Sequence, residues 1–160
     1  MSCKDWQEGN EWQESRDWQQ LLRDLEEMVE NHPNKRGELF YYMGVLHEKK
    51  GNAQKAEQAY RQAVREESFN YWLYYQLGQF YHRQQNYKEE QYIYKVAYKK
   101  YRMEGIEAKY CDDGIMYILE ELIQYAESKK QSLMLMVYRK YAARVKEAYK
   151  KFPALEIYTL

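Results

Sequence analysis

The chain contains little that interrupts a helix. Proline occurs twice and glycine seven times in 160 residues, too few to punctuate the short strands of a turn-rich β fold, so a nearly all-helical chain is expected. Cysteine is equally scarce. Cys3 and Cys111 stand alone and far apart, which excludes a disulfide framework and suits a reducing, cytoplasmic compartment. The longest apolar run, Leu133–Tyr138, falls far short of the roughly 20 residues that a bilayer span needs. The polar, acidic start MSCKDWQEGNEW lacks the apolar centre of a secretory signal. No membrane partner is expected.

Net charge is missing too. Lys and Arg number 25 against 25 Asp and Glu, so no global field points to nucleic acid, an anionic membrane or an acidic substrate. The distribution is less even: residues 1–30 carry 3 positive and 9 negative charges, residues 131–160 carry 6 and 2. An acidic head and a basic tail could attract each other, within one molecule or between copies in a homo-oligomer. Solvated faces of terminal helices are the plainer account.

Catalytic and cofactor chemistry is the last absence. His32, His47 and His82 have no metal-ligand spacing with one another or with either cysteine. Asp112-Asp113 and Glu120-Glu121 are adjacent pairs, which diverge by about 100° on a helix and cannot share a substrate atom. No phosphate loop and no nucleophile elbow is present. The chain is expected to be no enzyme, with no cofactor and no metal. Arg139, Lys140, Arg144, Lys146, Lys150 and Lys151, interleaved with Tyr138, Tyr141 and Tyr149, form the one foothold for nucleic acid. Solvated charge is the preferred reading, so nucleic acid is not expected as a partner.

What the chain does have is tyrosine, 19 residues of it, and a chain of this length should bury roughly 70% of its unfolded surface in one domain. It also has a repeat. Gly37–Asn70 laid over Tyr71–Glu104 aligns without a gap over 34 residues, with Leu39/Leu73, Tyr41/Tyr75, Gly44/Gly78, Asn52/Asn86, Tyr60/Tyr94 and Ala63/Ala97 identical. In the second copy Tyr74, Leu77, Gly78 and Tyr81 make one helical stripe, with Tyr94 and Ala97 on the next helix. Phe40, Met43, Gly44 and His47, then Ala56, Tyr60 and Ala63, do the same in the first. His47 stands at a tyrosine place in that stripe, which suits a core or boundary residue rather than a base. Turns are expected at Gly51-Asn52 and at Gln85-Asn86, where Asn86 alone must accept the left-handed backbone.

These features resemble the tetratricopeptide repeat (TPR), a 34-residue helix–turn–helix unit with the pattern W-x2-L-G-x2-Y, then A-x3-F/Y, then A and P. The chain offers F-x2-M-G-x2-H and Y-x2-L-G-x2-Y. It departs at Glu90, where Ala56 supplies a small residue in the first copy, and in lacking a closing proline in both copies. A divergent third unit is expected over 105–153: Tyr110-x3-Gly114-x2-Tyr117 repeats Tyr74-x3-Gly78-x2-Tyr81 at a spacing of 36. Its first helix should run about Ile106–Ser128 on Ile115, Ile118, Leu119, Leu122, Ile123 and Ala126. Its second should run about Leu133–Phe152 on Met134, Val137, Tyr141, Val145, Ala148 and Phe152, with Ser132 as a possible N-cap.

Before the repeats, Trp18, Leu21, Leu22, Leu25, Met28 and Val29 predict a helix up to His32-Pro33, packed on the first hairpin. Residues 1–14 are expected to be a disordered acidic leader. The Trp-Gln pairs at Trp6, Trp12 and Trp18, two in the leader and one just after it, read either as a docking motif or lid over the groove, or as a small duplication. Residues 15–160 would then be one all-α domain of about seven helices. The resemblance implies a right-handed superhelical TPR solenoid with the leader helix and the last helix as caps.

The resemblance also implies a function. Residues off the packing stripes would line a concave peptide groove: Glu38, Tyr41, Tyr42, Val45, Glu48 and Lys49 from the first copy, and Trp72, Tyr75, Gln76, Gln79, His82 and Arg83 from the second. Trp72 and Tyr75 would anchor a peptide of another protein, in an adaptor, chaperone-like carrier or regulator. The subclass that grips acidic C-termini of chaperones uses Lys and Asn where this chain has Tyr41, Val45 and Gln76, so that ligand is not expected. The plan is also similar to TPR secretion chaperones, and to the sensor half of peptide-responsive bacterial regulators, although no DNA-binding output domain is visible. Self-assembly through the oppositely charged ends is the alternative from another class.

Overall fold

Helical spacing of apolar residues becomes helix over most of residues 18–104 and 113–151, the parts of the chain that the computed structural model describes. Outside them lie Trp6, Trp12, both cysteines, Tyr110, residues 106–112 of the expected long helix, Phe152, Pro153 and the tail Ala154–Leu160. The described residues form seven α-helices and one 3-10 turn, with no strand among them: the fold is all-α. They divide between Ala63 and Val64 into two compact units.

In the first unit α1 (Trp18–Asn31) ends where Pro33, with no N–H to donate, opens a 3-10 turn over Pro33–Lys35. Its Leu25 and Val29 are buried with Leu39 and Leu46 of α2 (Arg36–Lys49), and Trp18, Leu21, Leu22, Phe40, Tyr42 and Met43 close around them. Met28, expected on this face, is 41% exposed. α3 (Ala53–Glu66) returns along α2, and its last turn already belongs to the second unit. The crossing of α2 and α3 is made by Gly44: a Cβ there would lie 2.8 Å from the Tyr60 ring.

The second unit repeats that crossing with α4 (Tyr71–Arg83) and α5 (Tyr87–Glu104). A Cβ at Gly78 would lie 2.5 Å from Tyr94 Cζ, so the ring presses closer to its glycine than Tyr60 does in the first pair. α6 (Asp113–Ser128) packs on both α4 and α5, and α7 (Ser132–Lys151) packs on α6. Ile115, Ile118, Leu119, Leu122 and Ala126 are buried as their spacing predicts, with Ile123 at the boundary. On α7 the buried stripe is Tyr138, Tyr141, Ala142 and Val145; Met134, expected on it, is 38% exposed.

All three helical hairpins turn in one way. The N–H of Asn52, Asn86 and Gln131 donates back to the carbonyl of His47, Tyr81 and Ala126, each at 2.9 Å. The residue before each takes the left-handed conformation: Gly51 at φ 77°, Gln85 at φ 57° and Lys130 at φ 54°. This 6→1 closure satisfies carbonyls that the helix end leaves over. Two expectations are thereby corrected. Gln85 rather than Asn86 carries the strained backbone, because Asn86 already caps α5, its carbonyl accepting from Glu90 N–H at 3.1 Å. Gln131 rather than Ser132 precedes α7, its carbonyl accepting from Leu135 N–H at 2.9 Å.

The left-handed residues also settle the register of the third pair. Seven residues before them stand Gly44, Gly78 and Ile123; nine after them stand Tyr60, Tyr94 and Arg139. The Gly–Tyr crossing is therefore absent from the third hairpin, and Gly114 is not the counterpart of Gly78. It lies in the first turn of α6 against the α4 backbone, where a Cβ would come 2.5 Å from Trp72 Cα. The same residue type is needed for a close approach of different elements.

Candidate functional site

The twelve residues off the packing stripes fall on α2 and α4, six on each, and all of them keep at least partial exposure. On α2 the set is tied into its own hairpin. Tyr42 Oη donates to Glu38 at 3.0 Å, and Tyr60 Oη donates to Glu48 at 2.8 Å. The Tyr41 ring stands 5.4 Å from Tyr42 and 5.8 Å from Tyr60, tilted to both. Glu48 is thus a hydrogen-bond acceptor for a buried phenol before it is anything else, while Val45 is half-buried and Lys49 exposed. His47, beside it, is buried. Its burial, with Lys55 nearby, lowers its pKa, only partly opposed by Glu26, and its Nδ1 has no hydrogen-bond partner, which suits a neutral core residue.

The α4 set is better ordered. Tyr75 lies between two other rings, 6.3 Å from Tyr94 at 20° and 5.2 Å from Tyr117 of α6 at 29°. Gln79 Nε2 donates to Tyr94 Oη at 2.9 Å, which fixes the amide and gives a partner to a phenol whose ring is fully buried. Trp72 and Gln76 are half-buried on the same helix, and Arg83 is exposed. His82 Nδ1 meets the Glu90 carboxylate at 3.1 Å; the carboxylate can only accept, so Nδ1 carries the proton.

That pair explains how α5 tolerates an acid where α3 has Ala56. Glu90 is only 3% exposed, and a buried carboxylate is retained only with a donor. His82 of α4 supplies one, so His82 is a hairpin contact as well as a surface group. Close by on α6, Glu121 has its pKa raised, first by burial and then by the Glu90 and Glu120 charges, with His82 acting in the opposite sense. Among the described residues no group of three or more His, Cys, Asp or Glu could hold a metal ion. No described helix is long and apolar enough to cross a membrane.

Sequence reasoning missed Tyr117 as a neighbour of Tyr75. Its spacing suggests a packing residue of α6, yet it is 46% exposed and extends the aromatic surface of α4. The α4–α6 crossing at Gly114 brings the two rings together. Comparison of the chain with models of protein families, with curated proteins and with solved structures found no match.

Proposed function

We propose that the chain is a TPR-like, non-catalytic interaction module that holds a peptide segment of a partner protein along the aromatic and amide face of α4. The observation that carries the reading is the stack of Tyr94, Tyr75 and Tyr117, flanked on α4 by half-exposed Trp72, Gln76 and Gln79. Rings already held by neighbours lose little freedom when a peptide lies on them, and large amphipathic rings dominate the binding energy of such surfaces. Side-chain amides and the exposed His82 and Arg83 supply donors and acceptors for the peptide backbone. The α2 face, with Glu38, Tyr41, Tyr42, Val45, Glu48 and Lys49, offers the same chemistry in the first unit. The two copies of the Gly–Tyr crossing and the shared turn support the TPR reading. An adaptor, chaperone-like carrier or regulator would use such a surface.

The test is an affinity pull-down followed by mapping of the captured protein to one peptide, with circular dichroism to establish that each variant is folded. Trp72→Ala plus Tyr75→Ala should weaken that peptide at least about 10-fold, and Gln76→Arg, which removes none of the stacked rings, should do the same by blocking the face. Lys88→Ala, on the exposed side of α5, should change nothing. A peptide bound equally by the wild type and both α4 variants would dismiss the α4 face as the site.

A further inference from the structure

On another side of the second unit, α5 and α7 enclose an open groove of about 240 Å³ lined by Tyr98, Arg102, Val137, Lys140, Tyr141 and Arg144. Its lining holds three cations and no carboxylate. Elsewhere on α7 two cations are matched by acids: Arg139 pairs with Glu127 and Lys150 with Glu147. Among the described residues Arg102, Lys140 and Arg144 have no such partner.

The groove is built rather than incidental. Tyr98 is 7% exposed, and its ring stands edge-on to Tyr138 and Tyr141 at 5.1 and 5.3 Å. That locks the groove's aromatic wall. The Arg102 guanidinium sits 5.5 Å from the centre of the Tyr98 ring, a cation–π contact that holds it at the rim. Tyr141 is 9% exposed, and its hydroxyl is buried with no hydrogen-bond partner among the described residues. Leaving a buried hydroxyl without a partner is costly, so a polar ligand atom reaching it would recover a real penalty. Arg102 and Arg144 both act electrostatically on that phenol in the sense that favours negative charge, although burial and Tyr98 act more strongly the other way.

We propose that this groove binds a small phosphomonoester, with the phosphoryl oxygens on Arg102, Lys140, Arg144 and the Tyr141 hydroxyl, and a compact organic body against Tyr98 and Val137. Three cations and a phenol donor suit a dianion with three terminal oxygens, and guanidinium forks match phosphate geometry. A carboxylate brings one charge and two oxygens, leaving part of this donor set unused. The volume sets the size of the body: it lies below the about 300–1,000 Å³ of pockets for drug-sized ligands, which leaves room for about one ring.

The experiment is a titration of the full chain, followed by backbone amide NMR at low ionic strength, with phenyl phosphate, inorganic phosphate, benzoate and a single-stranded oligonucleotide. Phenyl phosphate should saturate, shift residues of α5 and α7, and bind at least about 10-fold more tightly than benzoate or inorganic phosphate. Arg102→Gln plus Arg144→Gln should weaken it by at least about 10-fold, and Tyr141→Phe, which keeps the ring packing, by about 3- to 10-fold. Arg139→Gln, outside the groove, should leave it unchanged. Equal binding of benzoate, indifference to the Arg102/Arg144 or Tyr141 variants, or absence of saturation overturns the proposal. Affinity for inorganic phosphate equal to that for phenyl phosphate overturns the organic body. Tighter binding of the oligonucleotide than of phenyl phosphate reassigns the groove to a polyanion and overturns it likewise.

Discussion

At the scale of single residues, three glycines carry the close approaches, and what each would meet ranks the cost of a methyl group. At Gly44 a Cβ comes 2.8 Å from a tyrosine ring, and at Gly78 it runs into the fully buried Tyr94 ring, whose hydroxyl is also bound by Gln79. At Gly114 the obstacle is the Tyr71–Trp72 backbone, which cannot rotate away. Overpacking costs about 1–3 kcal/mol, and alanine in a helix interior returns about 1 kcal/mol over glycine. In urea unfolding, Gly44→Ala should therefore be close to neutral, Gly78→Ala should lose about 1–2 kcal/mol, and Gly114→Ala should lose the most. A Gly78→Ala protein as stable as the wild type would mean that the Gly–Tyr crossing is looser than described.

At the scale of the element, the hairpin turns share one closure but not one residue type. A left-handed non-glycine residue costs about 1–2 kcal/mol, and the extra freedom of glycine in the unfolded chain gives back about 0.4–1 kcal/mol of that gain. Gln85→Gly should raise stability by about 0.5–1 kcal/mol, and Lys130→Gly similarly, with the urea m-value unchanged. Gly51→Ala should move the midpoint the other way. A lower midpoint for Gln85→Gly would show that the Gln85 side chain contributes more than its backbone costs.

At the scale of the molecule, the second unit is held together by buried phenols. Tyr71 donates to Glu104 and stands edge-on to Tyr101 at 5.1 Å, and Tyr98, Tyr138 and Tyr141 form a second cluster. Burial, and for Tyr71 and Tyr74 the Glu104 charge as well, pushes the phenol pKa above its ordinary 10.0 at Tyr71, Tyr74, Tyr94, Tyr138 and Tyr141. A group with a raised folded-state pKa contributes stability that is complete below its unfolded value. That contribution is lost as pH rises through the folded one. Stability should therefore fall steeply above about pH 10, and phenolate absorbance from these residues should appear together with loss of helical dichroism. Complete phenolate titration near pH 10 with the dichroism intact would contradict the burial of these rings.

The sequence by itself determined what depends on neighbours along the chain. The apolar spacing of Leu25 and Val29, of Tyr74, Leu77 and Tyr81, and of Ile115 to Ala126 specifies helices and their buried faces, because a helix brings residues three and four apart together. The Gly44/Gly78 and Tyr60/Tyr94 matches announced the crossings, because only a glycine lets a ring come so near. Tertiary structure alone decided what depends on neighbours in space. Gly114 looked like a third copy of Gly78 and instead serves a different pair of helices. Glu90, an apparent packing defect, is matched by His82, which stands eight positions earlier on another helix. Arg102 and Tyr98 joined Lys140, Tyr141 and Arg144 only when α5 and α7 came together. Spacing along one helix fixes which side each residue faces; it carries no information about which other helix that side will meet.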